Sequence, residues 1–118
     1  MSARVERWRA AFESRDVERV IALYEPAATH ASALVSRLYP EVGGSELRGA
    51  AQIREYLRRA LERYSWLRFE VLSVTETADR SAVEYLRQSD VDGSHPAHVL
   101  ELIEWGGDHI RAVRVFHF

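Results

Sequence analysis

Residues 97–117 read AHVLELIEWGGDHIRAVRVFH, and this stretch decides the fold class of the chain. Apolar and polar side chains alternate on both sides of the Gly-Gly-Asp sequence at residues 106–108. That pattern is typical of two antiparallel strands joined by a tight turn. The stretch therefore predicts strands over residues 97–105 and 109–117.

The same alternation extends back to residue 67, where it gives way to helical spacing. Turn sequences at 78–79 and 92–93 predict two more strands, over 67–77 and 80–91. Before them, apolar residues recur every three or four positions and predict three helices. These are a helix over residues 3–13, a second capped by Asp16 that runs to Tyr24 before Pro26, and a third that follows Gly49 and reaches Tyr64. A short strand over 28–33 and a loop or short turns over 34–48 complete the prediction.

Helices followed by a strand meander indicate one α+β domain, with the helices packed on the concave face of a curved antiparallel sheet. The chain has 118 residues, which is the size of a single domain. The hollow between helices and sheet is a natural place for an enclosed pocket.

Composition excludes several classes of partner and site. The net charge of −2 favours neither nucleic acid nor an acidic membrane as a partner. The chain contains no cysteine, so disulfides and thiolate chemistry are excluded. Its N-terminus has charges every few residues and no apolar signal segment, which predicts a cytoplasmic location. Five histidines are present, but their predicted positions give no three-ligand cluster, so we expect no metal site.

Three segments resemble the nuclear transport factor 2-like superfamily, which includes SnoaL-like polyketide cyclases and ketosteroid isomerases. They read DVERVIALY at residues 16–24, LRGAAQI at 47–53 and ELIEW at 101–105, continuing to residue 110. The resemblance implies a single SnoaL-like domain over residues 1–118. It also implies a cone-shaped α+β barrel of the cystatin-like kind around a mostly apolar cavity.

The resemblance also allows individual positions of this chain to be compared with the site residues of the steroid isomerases. The oxyanion tyrosine of those enzymes corresponds to Trp8, their general base to Ser32 and their protonated aspartate to Glu101. Only Glu101 keeps a carboxyl group. Since Ser32 alone is no general base, we do not expect the classical steroid isomerase mechanism. His30 lies on the same face of the predicted strand as Ser32, so its side chain should also point toward the interior.

The family's three-residue turn would place Trp105 opposite His109 and so define the inner face of the last hairpin. That face is apolar apart from Glu101 and His117, and both are candidate catalytic residues with His30. Glu101 and His117 would lie roughly 13 Å apart along the sheet. The pocket-lining candidates are Trp8, Ser32, Tyr56, Tyr85, Val99, Ile103, Val113 and Val115.

The face of the strand over 80–91 is ambiguous from the sequence. A two-residue turn at 92–93 brings one face to Glu101, and a one-residue bulge brings the other. Tyr85 and Arg87 are one choice, and Glu84 and Gln88 the other. We prefer Tyr85, because its face is more apolar and its hydroxyl group could donate to Glu101.

These residues predict a protein that binds a small, largely apolar molecule and transforms it by acid–base chemistry without a cofactor. Isomerase, cyclase, dehydratase and hydrolase reactions all remain open. The alternative is a non-catalytic ligand-binding or dimerisation module of the same fold. An apolar outer sheet face predicts a homodimer. This face comprises His98, Leu100, Leu102, Glu104, Ala112, Arg114 and Phe116, extended by Leu72 and Val74.

Overall fold

In the computed structural model, which describes residues 1–118, all four helices precede the last four strands. The helices are α1 (Ala3–Ser14), α2 (Val17–Ile21), α3 (Ala33–Leu38) and α4 (Ala50–Leu61), with a 3-10 turn at Pro40–Val42. The strands are β1 (Tyr24–Ser32), β2 (Glu46–Arg48), β3 (Leu67–Glu76), β4 (Arg80–Ser89), β5 (Ala97–Gly106) and β6 (His109–His117). This order confirms the predicted α+β class.

All six strands form one curved, unclosed sheet in the order β2–β1–β6–β5–β4–β3. Neighbouring strands are antiparallel except β1 and β6, which run parallel. The sequence predicted an antiparallel sheet and did not reveal the parallel pair, which depends on where β1 docks after the helices. Through this pair, Ser32 lies opposite Val115, which lies opposite Glu101. The three residues form one row across the sheet.

The helices cover one face of this sheet and make the core with it. Inward residues of β5 and β6 such as Val99, Ile103 and Val113 are about 1% exposed, whereas their outward neighbours retain exposure. The helices contribute Val5, Trp8, Ala11, Ile53, Tyr56, Leu57, Ala60 and Leu61. No helix in the structure has the length and apolar character needed to cross a bilayer.

The last hairpin differs in register from the prediction, but its faces do not change. Trp105 lies opposite Ile110 rather than His109. A bulge between Glu104 and Trp105 then shifts the pairing by one further residue. The turn itself has two residues, with Gly107 at a φ of 62°, a conformation that glycine adopts at no steric cost. Turn and bulge together displace the strands by two residues. Since side chains alternate with a period of two, each side chain keeps its predicted face.

Residues 34–48 contain more regular structure than the predicted loop or short turns. They contain most of α3, a 3-10 turn and β2, which pairs with β1. Ser32 caps α3 by accepting a hydrogen bond from the Leu34 amide at 3.2 Å. Gly43 and Gly44 suggested that this region contains no regular secondary structure, but short elements form on either side of them. Elements of three to six residues leave no periodicity long enough to detect.

The second helix is shorter than predicted, because it ends at Ile21 and leaves Tyr24 to begin β1. Its predicted cap is confirmed: the Asp16 side chain accepts hydrogen bonds from the amides of Glu18 and Arg19. Pro26 lies inside β1 rather than after a helix. The β1–β6 register shifts between Tyr24 and Thr29, and an interrupted ladder tolerates a residue without an N–H group.

A bulge in β3 changes one part of the predicted outer face. The pairing with β4 shifts between Val71 and Ser73, so Leu72 is the extra residue and is exposed. Val74 consequently lies opposite the buried Val83 and packs against the core. The prediction that Val74 extends the outer face is therefore wrong, because a single inserted residue reverses the alternation.

Candidate functional site

Glu101 lies at the middle of β5 and is only 4% exposed. The hydroxyl group of Tyr85 on the neighbouring strand donates a hydrogen bond to its Oε1 atom at 2.7 Å. The other carboxyl oxygen, Oε2, is buried and has no hydrogen-bond partner in the protein. Tyr85 and Glu101 share the inner face, so the preferred choice for β4 agrees with the structure.

Burial raises the pKa of Glu101 to about 7, although hydrogen bonding to Tyr85 and the nearby Trp8 indole oppose the shift. No cation pairs with this carboxyl group. Arg87, which lies two residues from Tyr85 on β4, instead holds Asp92 through two hydrogen bonds of 3.0 and 2.9 Å. Without a partner charge, the buried carboxyl group favours its neutral form. At neutral pH it can therefore either accept or donate a proton.

Trp8 covers this carboxyl group from α1 and is completely buried. Its ring packs against Phe12, Phe69 and Tyr85, with centroid separations of 5.2 to 5.8 Å. The indole N–H makes no hydrogen bond of ordinary geometry, yet lies close enough to lower the pKa of Glu101. A donor and an acceptor atom are thus both buried and incompletely satisfied around one carboxyl group, which is uncommon in protein cores.

His30 on β1 is the second buried ionisable group of this region, at 4% exposure. Its Nδ1 atom lies 3.2 Å from the Tyr24 hydroxyl oxygen, and its ring lies 5.3 Å from that of Tyr56. Burial lowers the pKa of His30 to about 4, so the imidazole is neutral at pH 7. Its Nε2 atom has no hydrogen-bond partner among the protein's side chains or backbone and remains available.

A cavity of about 60 Å³ connects these groups and opens to the surface. Its partly or fully exposed wall residues, among them Arg63, Arg87 and His117, mark the opening. Of the residues predicted from the sequence, the wall contains His30, Ser32, Tyr56, Tyr85, Glu101, Val115 and His117. Eleven of its seventeen lining residues are hydrophobic, so the polar groups are few and localised.

Four predicted lining residues are not in this wall. Val99, Ile103 and Val113 have the predicted orientation but belong to the packed core. Val99 pairs with Tyr85 on one neighbouring strand and with His117 on the other. The larger side chains of these two residues line the cavity in place of Val99. Trp8 is separated from the cavity by its three aromatic neighbours, all of which are wall residues. Alternation identifies the inner face, but it does not tell which inner residues the helices cover.

His117 is exposed at the cavity opening rather than enclosed within it. Partial burial and the nearby guanidinium groups of Arg87 and Arg37 lower its pKa, which keeps the imidazole mainly neutral at pH 7. Val99 is its partner on β5, so His117 is two residues from the position opposite Glu101. The two lie about 7 Å apart along the sheet, and the predicted 13 Å is wrong because the turn and the bulge shift the register.

Two polar residues of this region were missed by the sequence analysis: Tyr24, which contacts His30, and Arg63, which lies in the cavity wall. Tyr24 was assigned to the end of a helix, although the following Pro26 could have indicated an extended segment. Arg63 falls inside the helix that was predicted to reach Tyr64, but it lies beyond the end of α4 and donates to the Tyr64 hydroxyl group. Across the chain, no group of three or more histidine, aspartate or glutamate side chains is arranged to hold a metal ion.

Residues 5–118 match the model of the SnoaL-like domain family, which is nearly the entire chain. The protein belongs to the SnoaL-like family. This membership agrees with the resemblance seen in the three sequence segments and with the curved-sheet fold. No curated protein matches this SnoaL-like chain in sequence.

Solved structures share the fold at low sequence identity. A SnoaL-like protein of unknown function from Burkholderia thailandensis is 20% identical, with a TM-score of 0.78, over 96% of this chain and 89% of that one. A putative polyketide cyclase from Sinorhizobium meliloti is 16% identical, with a TM-score of 0.77, over 98% and 95%. A protein with a ketosteroid isomerase-like fold from Catenulispora acidiphila, in complex with trimethylamine, is 15% identical, with a TM-score of 0.77, over 98% and 85%. At these identities the likeness shows the fold alone.

The opposite pKa shifts of Glu101 and His30 predict how stability depends on pH. The native state keeps a proton on Glu101 between pH 4.5 and 7 that the unfolded chain has lost, so this group lowers stability as pH rises. His30 is neutral in the native state between pH 4 and 6.5 while the unfolded chain binds a proton, so it raises stability with pH. Each effect amounts to about 3 kcal/mol, and the two should nearly cancel from pH 4.5 to 6.5.

Urea unfolding of single variants across pH 4 to 8 separates the two contributions. Glu101→Gln should gain stability with rising pH up to 6.5, and His30→Asn should lose it up to pH 7. Glu104→Gln, the same change on the outer face of β5, is the matched control and should follow the wild type. A Glu101→Gln profile parallel to that of the wild type would show that the Glu101 pKa is not raised.

Proposed function

We propose that this protein binds a small, largely apolar carbonyl compound in its cavity and transfers a proton through Glu101. The observation that carries the proposal is the buried carboxyl group whose pKa is about 7 and whose Oε2 atom lacks a partner. A catalytic acid or base is most effective when its pKa lies near the working pH. Polar groups that are left unsatisfied in a core also cost stability, which favours a role beyond packing.

The chemistry begins with the ionised fraction of Glu101. The Glu101 carboxylate accepts a proton from a carbon atom next to the carbonyl group, and the electron pair of the C–H bond passes into an enolate. The same carboxyl group then returns the proton to that carbon or to another position. Tyr85 keeps its hydrogen bond to Oε1 throughout, which stabilises the carboxylate without neutralising it.

The negative charge that develops on the substrate oxygen needs a donor, and His30 is placed to supply it. If the Tyr24 hydroxyl group donates to Nδ1, the neutral imidazole carries its proton on Nε2, which has no other partner. A neutral imidazole can polarise a carbonyl group in this way. The low pKa of His30 keeps it in that form across the physiological range.

Cavity size and lining support a small substrate. A volume of about 60 Å³ is well below that of drug-sized sites, which begin at about 300 Å³. The protein from Sinorhizobium meliloti that shares this fold is described as a putative polyketide cyclase. Cyclisation and isomerisation of carbonyl compounds both begin by removing a proton next to the carbonyl group. The residue types at Trp8 and Ser32 favour Glu101 as the base, in contrast to the steroid isomerases.

The competing function is non-catalytic ligand binding. Tyr85 satisfies one oxygen of Glu101 by a hydrogen bond of 2.7 Å, as it would in a purely structural polar pair. In that case the cavity would take up the same molecules and leave them unchanged. Binding and proton transfer therefore have to be measured on the same probe.

Deuterium exchange of 2-butanone in D₂O, followed by proton NMR, tests the proposal. The wild type should accelerate exchange of the protons next to the carbonyl group, and Glu101→Gln should reduce the acceleration about a hundredfold or more, because it removes the proton acceptor. Glu104→Gln on the opposite face of the same strand should retain the wild-type rate.

A second variant checks the role of the carboxyl pKa. Tyr85→Phe removes the donor that favours the ionised form, so the rate profile should shift to higher pH. If 2-butanone perturbs the cavity resonances but exchanges no faster than with Glu101→Gln, the protein is a binding module. Such a result contradicts the catalytic proposal.

We also propose that two copies of the chain pair through the outer face of the sheet. Leu100 lies opposite Phe116 and Leu102 opposite Arg114 on this face, with Phe116 45% exposed. Arg114 has no carboxylate within 4.0 Å in the monomer, whereas Glu104 binds Arg80 at 3.0 Å. Two-fold pairing would place the apolar centres against each other and offer the unpaired arginines acidic groups of the other copy.

Substitution of Leu102 by glutamate should convert this dimer to a monomer, because pairing would bury two unpaired carboxylates. Light scattering at micromolar concentrations gives the mass. Val91→Glu introduces the same charge at an exposed apolar residue outside the face and should remain dimeric. A wild-type protein that scatters as a monomer would refute the pairing.

A further inference from the structure

Arg63 is a cation in the cavity wall that forms no ion pair with a carboxylate. Its Nε atom donates to the carbonyl oxygen of Ala60 at 3.1 Å, and Nη2 donates to the Tyr64 hydroxyl group at 2.8 Å. Its guanidinium group also lies 4.9 Å from the centre of the Tyr64 ring. All of these partners are neutral, and no acidic oxygen lies within 4.0 Å. The remaining N–H groups of Arg63 have no protein acceptor.

The other arginine in the wall is in the opposite situation. Arg87 forms a two-point ion pair with Asp92, whose Oδ2 atom also accepts a hydrogen bond from Ser89 at 2.7 Å. Both members of the pair are mostly buried. The charge of Arg87 is therefore compensated within the protein, and its fork of donors is already occupied.

The remaining wall residues do not balance the charge of Arg63 either. The titratable ones are His30, Tyr56, Tyr64, Tyr85, Glu101 and His117. Burial keeps the two histidines mainly neutral and raises the pKa of every tyrosine among them. Glu101 is the only acid in the wall and is largely protonated below pH 7. The cavity opening therefore carries net positive charge.

A structural role for Arg63 also exists, since it follows α4 and binds a carbonyl group of the last helical turn. Cations stabilise helix C-termini by such contacts. That role uses one edge of the guanidinium group, whereas the planar fork can hold a carboxylate with two further hydrogen bonds. Partial burial lowers the local dielectric and makes an ionic contact there stronger than at an open surface.

We propose that Arg63 selects ligands that carry an anionic group, held at the cavity opening while the apolar part of the ligand extends toward Glu101. This inference rests on the ligand site of the proposed function and adds the substrate class, a small apolar carboxylate or a related anion. Arg63 acts here as a specificity residue and takes no part in proton transfer.

Three probes of nearly equal shape test the inference by NMR titration of the wild type at pH 6.5: isobutyrate, isobutyramide and isobutylamine. Isobutyrate should bind about tenfold more tightly than isobutyramide, because it gains a charge-assisted contact. Arg63→Gln should remove this preference while the affinity for isobutyramide stays unchanged. Arg63→Lys should keep part of the preference, since it retains the charge but loses the fork.

The control is Arg19→Gln, the same change of charge at an exposed arginine of α2 outside the cavity. It should keep the full preference for isobutyrate, and thermal unfolding of all variants monitors the helix-terminal role of Arg63. Equal binding of isobutyrate and isobutyramide by the wild type, or tighter binding of isobutylamine, would overturn the inference and leave the ligand site intact. If none of the three probes perturbs cavity resonances, the proposed ligand site itself fails.

Discussion

The hydrogen bond between Tyr85 and Glu101 sets the chemical character of this protein's interior. It forms between neighbouring strands on the face that the helices cover, where the carboxyl group is only 4% exposed. One oxygen atom is satisfied by the tyrosine and the other is not. Because Arg87 is held by Asp92, no cation is available to neutralise the carboxylate. The raised pKa of Glu101 follows from this arrangement, not from any property of the residue alone.

Burial acts on Glu101 and His30 in opposite directions and leaves both largely uncharged near neutrality. The carboxyl group retains its proton and the imidazole loses its own, so the apolar hollow contains few net charges. A core of this kind avoids the large cost of isolated buried ions while it keeps two groups that can exchange protons. The charged groups lie at the opening, where Arg63, Arg87 and Asp92 retain contact with solvent.

This distribution of charge relates the fold to the chemistry. The curved sheet provides a row of side chains from three strands, and the helices close it from one side. Aromatic packing by Trp8, Phe12 and Phe69 fixes the position of Tyr85 and thereby of the carboxyl group beneath it. Precise placement of a single acid by rigid neighbours is a general requirement for acid–base catalysis. The same packing would serve a binding protein that needs a polar contact at the end of an apolar cavity.

The sequence by itself determined the fold class, the faces of the last two strands and the identity of the buried acid, because these depend on local periodicity and residue type. Alternation in residues 97–117 placed Glu101 among apolar neighbours, and the apolar character of the other strand indicated Tyr85. Tertiary structure decided the rest. The parallel pairing of β1 with β6 is a long-range contact, and the bulges in β3 and β6 are one-residue departures that no pattern announces. The pairing of Arg87 with Asp92, the exposure of His117 and the unpaired charge of Arg63 likewise depend on which side chains meet after folding. Short-range patterns fix which way a residue faces, but its partners, its solvation and therefore its pKa are set by segments distant in the chain.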